Sequence, residues 1–526
     1  MKLRHFAAIL AAAGFVAAAP VASAKPFKFA NQGDMTTADP HGLFETTSLM
    51  MQGYVYEGLV RIGKDLEIEP ALAESWKQTD PKTWVFSLRK GVAFHDGGAF
   101  TADDVVYSFA RAKSEGSDLK TPVATVESVT KIDDHTVQIV TRSPNPILLR
   151  EFPFLYMVSK SWIEKNNAAD PVDVRKGKEN YATRNANGTG PFMLKERQPG
   201  VKAVFVPNAK WWDKLESNIT EATFTPIGSD ATRVAALLSG DIDMMEPIPI
   251  QDVDRVKAAA GRKVMQGPEL RTIFLGFDQE RAELLESNVK GKNPFQDARV
   301  RKAVYQAIDV EGIRRTVMRG ASTPAALMIG PGIAGFDAAQ NQRLPYDPEA
   351  AKKLLAEAGY PNGFEVGMDC PNDRYVNDER ICLAVVPMLA RIGVTVKLHA
   401  QSKATYFPKI LSRNTSFYLL GWTSSSYDAH NPLISIFATP DKSKGRGTFN
   451  LGGYSNARVD ALTDMIQTET DQAKRGAMIK EAFQIHKDEV GHVPLHQQAL
   501  AWGMKDNVDL VQRADNVMKL EWVKVK

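Results

Sequence analysis

The strongest constraint on the fold lies in the second half of the chain, where helical and strand-like segments take turns. Apolar residues recur at helical spacing over 298–308, 311–318, 348–358, 378–391, 456–468 and 472–488. Strand-like runs at 364–368, 394–398 and 417–420 fall among them. Such alternation predicts an α/β layer with a mostly parallel sheet, because parallel neighbours need long crossovers and helices supply them. The 526 residues exceed what one core supports, so two or three domains are expected. An apolar fraction of 44% with eight tryptophans is enough to fill them.

The first half is patterned differently. Residues 27–30 read as a first strand, and 48–59 carry apolar residues at helical spacing up to Gly58. Residues 84–89 alternate apolar and polar, as a half-buried strand does. Thr101 with Asp104 marks a helix start: a threonine N-cap with an acid three residues on. Asp133-Asp134-His135, between β-rich runs at 126–129 and 136–140, signals a hairpin. The polar stretch 175–188, running into Asn185-Ala-Asn-Gly-Thr-Gly190, reads as a crossing between domains. An amphipathic helix at 230–238 is stopped by Gly240, and a short strand begins at Ile242.

The N-terminus has the layout of an export signal. Lys2 and Arg4 precede an apolar run over 6–19, and Val21-Ala-Ser-Ala24 offers small residues for cleavage after Ala24. No cysteine lies near that point, so the expected mature chain is untethered. Loss of Lys2 and Arg4 takes the net charge from +3 to +1, and no basic stripe points to nucleic acid. Cys370 and Cys382, an even count in an exported chain, are expected to form one disulfide.

Catalytic signatures are thin. Gly330-Pro-Gly332-Ile-Ala-Gly335 matches a dinucleotide-binding string by letter, but Pro331 interrupts it and it is expected to be a loop. His486, His492 and His496 cluster without metal-ligand spacing, and the Val493-Pro494 step suggests a chain break between them. No metal and no cofactor are expected, and neither a nucleophile elbow nor a P-loop occurs.

A set of landmarks does recur in one known order. ALAESW (71–76), TWVFSLRKGVAFHDGGAFTADDVVYSF (83–109), GTGPF (188–192), WW (211–212), LLSGDID (237–243), NPFQDARVRKAVYQAID (293–309), YDPEAAKKLLAEAGYPNG (346–363) and GYSNARVDAL (453–462) span nearly all of the mature chain. In these the chain resembles the large periplasmic solute-binding proteins of the oligopeptide, dipeptide and nickel ABC importers. The resemblance implies a two-lobed periplasmic-binding-protein fold of mixed α/β type, hinged around a ligand cleft. One lobe would comprise 25–61, 188–277 and 492–526, an extra domain 62–187, and the second lobe 278–491. It also implies a non-enzymatic periplasmic receptor, acting as a monomer and delivering a small solute to permease subunits in the inner membrane.

Four positions carry the expected ligand chemistry. Arg374 matches the arginine that takes the peptide carboxylate in dipeptide binders, a task suited to a planar guanidinium. Cys370 and Cys382 bracket its loop. Trp422 matches a conserved-pattern tryptophan in G-W-x-x-D and would form an aromatic wall. Ser425 stands where peptide binders carry the aspartate that holds a peptide's ammonium, and Asp428 is the nearest substitute. The expected ligand is therefore a small organic molecule bearing a carboxylate, peptide-like or not. Two other classes share this scaffold: an exported α/β hydrolase, and a receptor reporting to a membrane sensor.

Overall fold

The computed structural model describes residues 25–441, 443 and 445–526, with Arg175 and Ala404 described by backbone alone. The expected export signal, 1–24, lies outside the described residues. No described helix is long and apolar enough to cross a membrane.

An eleven-stranded sheet runs through the molecule. At one flank it holds Val394–Gln401, Phe364–Pro371 and Phe417–Trp422; at the other, Met244–Glu246, Pro26–Asn31, Glu221–Pro226, Lys202–Pro207 and Phe192–Gln198. Two long strands, Arg262–Phe277 and His492–Lys505, lie between the flanks and join them, and the eleventh, Ser322–Pro324, pairs with the second of these. The sheet as a whole is mixed: Val394–Gln401, Phe364–Pro371 and Phe417–Trp422, the strands expected to form a mostly parallel layer, do pair in parallel, and the antiparallel pairs come from the long strands and a hairpin. Parallel pairs occur only within the flanks, between Phe364–Pro371 and its neighbours and between Pro26–Asn31 and its neighbours. The chain crosses the centre once in each direction, so the two long strands pair antiparallel. The hairpin of Phe192–Gln198 with Lys202–Pro207 adds another antiparallel pair.

The central pairing has one large irregularity. Pro268 opposes Ala499 and Thr272 opposes Gln497, so Glu269, Leu270 and Arg271 all face the single residue Gln498. Such a bulge bends and twists a strand and re-aims its side chains. The long strands change partners there: beyond Thr272 the first also pairs with Phe417–Trp422.

Each flank has its own core. Phe27, Phe29, Tyr54, Phe205, Phe224 and Trp502 pack one, and Ile273, Phe277, Phe295, Val300, Val304 and Phe417 pack another. A separate four-stranded antiparallel sheet, spanning Ala73–Asp80, Thr83–Leu88, Val126–Asp133 and Thr136–Thr141, folds over the helix Ala102–Lys113. Its core holds Phe86, Phe100, Phe109 and Val137. The helix begins where its capping pattern places it, with the Asp104 carboxylate accepting the Thr101 N–H at 3.0 Å.

The helix expected over 48–59 spans Thr46–Val55 and ends earlier than its apolar pattern. The reason lies in GTGPF. The Gly190 N–H donates to the Val55 carbonyl at 2.8 Å, and a Cβ at Gly188 or Gly190 would sit 2.0 or 2.7 Å from that oxygen. Those glycines let a second backbone reach the helix end, where unpaired carbonyls need donors. Pro494 sits inside the second long strand rather than at a chain break. It opposes Phe274 at a register shift, where a missing N–H is tolerated.

Candidate ligand-binding cleft

A cleft of about 770 Å³ opens over the bulge, lined from both flanks. Asn31, Glu45, Thr47 and Trp502 contribute from one side, and Arg374, Phe407, Ser425 and Tyr427 from the other. Glu269, Arg271 and Gln498 line it from the long strands.

Arg374 sits on the loop after Phe364–Pro371, and that loop is held from several directions. The Asp378 carboxylate accepts the N–H groups of Arg374 and Tyr375 through one oxygen, each at 2.9 Å, and that of Glu379 through the other. Cys370 and Cys382 form a disulfide across the loop, tying the strand end to the helix Asp378–Ala390. The Arg374 side chain is exposed on the loop, its guanidinium carbon 5.1 Å from the centre of the buried Tyr375 ring. Arg271 approaches the same ring at 5.8 Å, so two guanidiniums share one aromatic neighbour.

Their charges are not balanced alike. Arg271 pairs with Glu269 at 3.1 Å. Among the described residues, no acceptor pairs with the Arg374 guanidinium. Loss of water, and then the nearby Arg271 charge, hold the Arg374 pKa below its usual value. The other cleft carboxylates are committed within the protein. Both oxygens of Glu45 cap the helix Thr46–Val55, accepting from Thr47 and Ser48 at 2.9 Å. Asp373 accepts the Lys403 N–H at 2.6 Å. Asp515 is paired with Arg513 and accepts the Tyr427 hydroxyl at 2.9 Å. Arg374 is thus a cleft arginine with no ion-pair partner among the described residues, whereas Arg271 has Glu269.

Two of the four positions chosen from sequence, Arg374 and Ser425, lie together on the cleft. Ser425 is exposed there, its hydroxyl accepting from Asn431 at 3.3 Å. Trp422 is not among the lining residues: its ring packs 4.8 Å from Phe449 and its indole N–H donates to Asn431 at 2.8 Å. Asp428 needs the firmer correction. It is 1% exposed, and Arg475 grips its two oxygens at 2.9 and 2.7 Å, so it cannot meet a ligand's ammonium. The histidines are likewise internal: buried His486 and His492 share a 2.9 Å ring-nitrogen contact, and burial holds both pKa values well below the usual range.

Sequence reasoning missed Glu269, Arg271 and Gln498. The first two had a signal in Pro268-Glu-Leu-Arg-Thr272, where two charges flank the apolar Leu270 and so emerge on one face; Gln498 had none. Which face meets a cleft depends on the sheet, and no local pattern reports that.

Two lobes joined by a pair of long strands, with a polar cleft over the junction, define a periplasmic-binding-protein scaffold whose task is to hold a solute. The profile of the bacterial extracellular solute-binding proteins, family 5 (middle region), matches residues 67–444, and the chain belongs to that family, which works with ABC importers. Heme-binding protein A of Haemophilus influenzae is 28% identical over 84% of this chain and 81% of its own. The glutathione-binding protein GsiB of Salmonella choleraesuis is 26% identical over 95% of this chain and 94% of its own. In fold, the chain is similar to HbpA2 of Haemophilus parasuis, with a TM-score of 0.79, 23% identity, and coverage of 95% of this chain and 100% of that one.

Proposed function

We propose that the protein is exported with cleavage after Ala24, works in the periplasm, and captures a small organic acid that it hands to the permease of an ABC importer. One observation carries the ligand class: the Arg374 guanidinium faces the cleft beside Arg271 without an acid of its own. A ligand carboxylate would answer that charge through two parallel hydrogen bonds and relieve the repulsion between the two guanidiniums. The neutral Ser425, and the pairing of Glu269 and Asp515 with arginines, argue against a requirement for a free amino group. Burying a ligand ammonium without a carboxylate costs several kcal/mol. A hydrolytic reading is less favoured, because among the described residues no histidine or cysteine lines the cleft to serve as a base or thiol nucleophile.

A thermal-shift screen of dipeptides, their N-acetyl forms and simple organic acids tests the reading, since a tight ligand raises the melting temperature by mass action. Acetylated peptides and amine-free acids should stabilise the protein at least as well as free dipeptides. Strong stabilisation by free dipeptides alone would contradict it and leave a cleft carboxylate as the ammonium partner.

A further inference from the structure

The side chain of Gln498 makes two contacts that join parts of the molecule far apart in sequence. Its amide oxygen accepts the Val376 N–H at 3.0 Å, and its amide nitrogen donates to Glu269 at 2.6 Å. Only this orientation satisfies both partners, because the backbone N–H cannot accept and the carboxylate cannot donate. Glu269 continues the chain of contacts to Arg271 at 3.1 Å, and Arg271 returns to the ring of Tyr375, next to Val376. The circuit therefore closes on the loop that carries Arg374. Gln498 is 5% exposed, and a buried amide satisfied at both ends holds its geometry firmly.

Its position gives the circuit its meaning. Gln498 is the one residue that faces three, Glu269 to Arg271, at the bulge where the long strands change partners. Lobes that close on a ligand do so by rotation within a few residues of their connecting strands. A side chain at that point, bonded to the loop that meets the ligand, links the loop's position to the strand crossing.

We infer that Gln498 and Glu269 are positioning residues, which hold the Arg374 loop against the bulge in the crossing strands and so couple ligand capture to lobe movement. The functional half of this rests on the proposed role of Arg374; the mechanical half does not, and it can be tested without a ligand. The readout is hydrogen exchange of the 372–378 segment in the full exported protein, followed by mass spectrometry. Gln498→Leu removes both bonds. Gln498→Glu sets a second carboxylate against Glu269. Glu269 makes no direct contact with the loop, so Glu269→Ala acts on it through Gln498 and Arg271. Each should speed exchange of the segment by about fivefold or more, the scale of one hydrogen bond. The helix Ala102–Lys113 and the separate four-stranded sheet should keep their rates. The double variant Gln498→Glu with Glu269→Gln rebuilds the circuit with its amide and carboxylate exchanged, and should return the segment to the original rate.

Three results would overturn the inference: unchanged exchange in Glu269→Ala, a double variant no slower than Gln498→Glu alone, or acceleration spread equally over the whole protein. Failure of the carboxylate reading would look different. The exchange pattern would hold, while organic acids gave no thermal shift.

Discussion

Arg475 with Asp428, and Arg374 on the cleft, put the same chemistry to opposite uses. Arg475 meets Asp428 with two bonds below 3 Å, both side chains nearly sealed from water. The pair is complete and lies under the very loop, Gly421-Trp-Thr-Ser-Ser425, from which a ligand contact was expected. Arg374 is an exposed cation on a braced loop with no acid among the described residues to match it. A charge whose partner is inside the protein belongs to the scaffold, since separating the two would strand a buried ion. A charge held in place and left unanswered is available to something that comes and goes. The comparison teaches that residue type and neighbourhood in sequence do not separate the two roles; satisfaction does.

The closed pair is the place to break the comparison hardest. Asp428→Ala leaves the Arg475 guanidinium buried and alone, and should cost about 3–5 kcal/mol of stability. Urea unfolding at fixed pH checks this, and a loss under 1 kcal/mol would mean that water reaches Arg475. Arg374→Ala, measured in the same way, should change stability by no more than about 0.5 kcal/mol, as surface substitutions do.

The bracing of the open site is the next lever. A disulfide with a sequence separation of 12 residues contributes about 3 kcal/mol in the chain-entropy model. Reduction, or paired Cys370→Ala and Cys382→Ala, should lower stability by about that amount and loosen the Arg374 loop. Mass spectrometry of unreduced, denatured protein should find no alkylatable thiol. Two alkylated cysteines would remove the brace from the account.

Glu57 sharpens the comparison from a third side, as a buried acid answered by neutral donors. Trp211, Trp212 and Thr189 all donate to it, the closest of these at 2.8 Å, yet burial pushes its pKa up to about 7. The folded protein therefore keeps a proton that the unfolded chain releases above about 4.5. The contribution of Glu57 to stability is full below about 4.5 and declines as pH rises toward 7. Between pH 4.5 and 8, the unfolding free energy of Glu57→Gln should gain about 3 kcal/mol on the unaltered protein. A difference that stays flat with pH would show Glu57 ionised in the fold.

Much of this architecture was legible in the chain. Helices with a polar cap and an apolar stripe stand where their patterns put them. Ala298–Ala307 starts after Asp297, Pro348–Glu357 after Asp347 and Ala457–Ile466 after Asn456, each cap accepting backbone N–H groups of the first turn. These are local effects, and local sequence encodes them. What failed was set by distant partners. The helix at Thr46–Val55 ends where the glycines of GTGPF arrive from more than 130 residues away. The sheet is mixed because two strands cross the junction, which alternation of elements cannot report. In the cleft, Arg374 was found by its place in a family pattern, while Asp428 was lost to an arginine 47 residues on. Glu269, Arg271 and Gln498 meet only because a bulge sets three residues against one.

The central claim is that Arg374 holds the acidic group of a small solute, and native mass spectrometry of protein gently extracted from the periplasm tests it most directly. The unaltered protein should carry a small molecule with at least one carboxyl group. Arg374→Ala, prepared in parallel and equally stable to urea, should be largely empty, because losing a charge-assisted clamp weakens binding by roughly 2–4 kcal/mol. Arg374→Lys should recover only part of the occupancy, since an ammonium lacks the planar fork. A bound molecule without an acidic group, or one retained in full by Arg374→Ala, would contradict the claim.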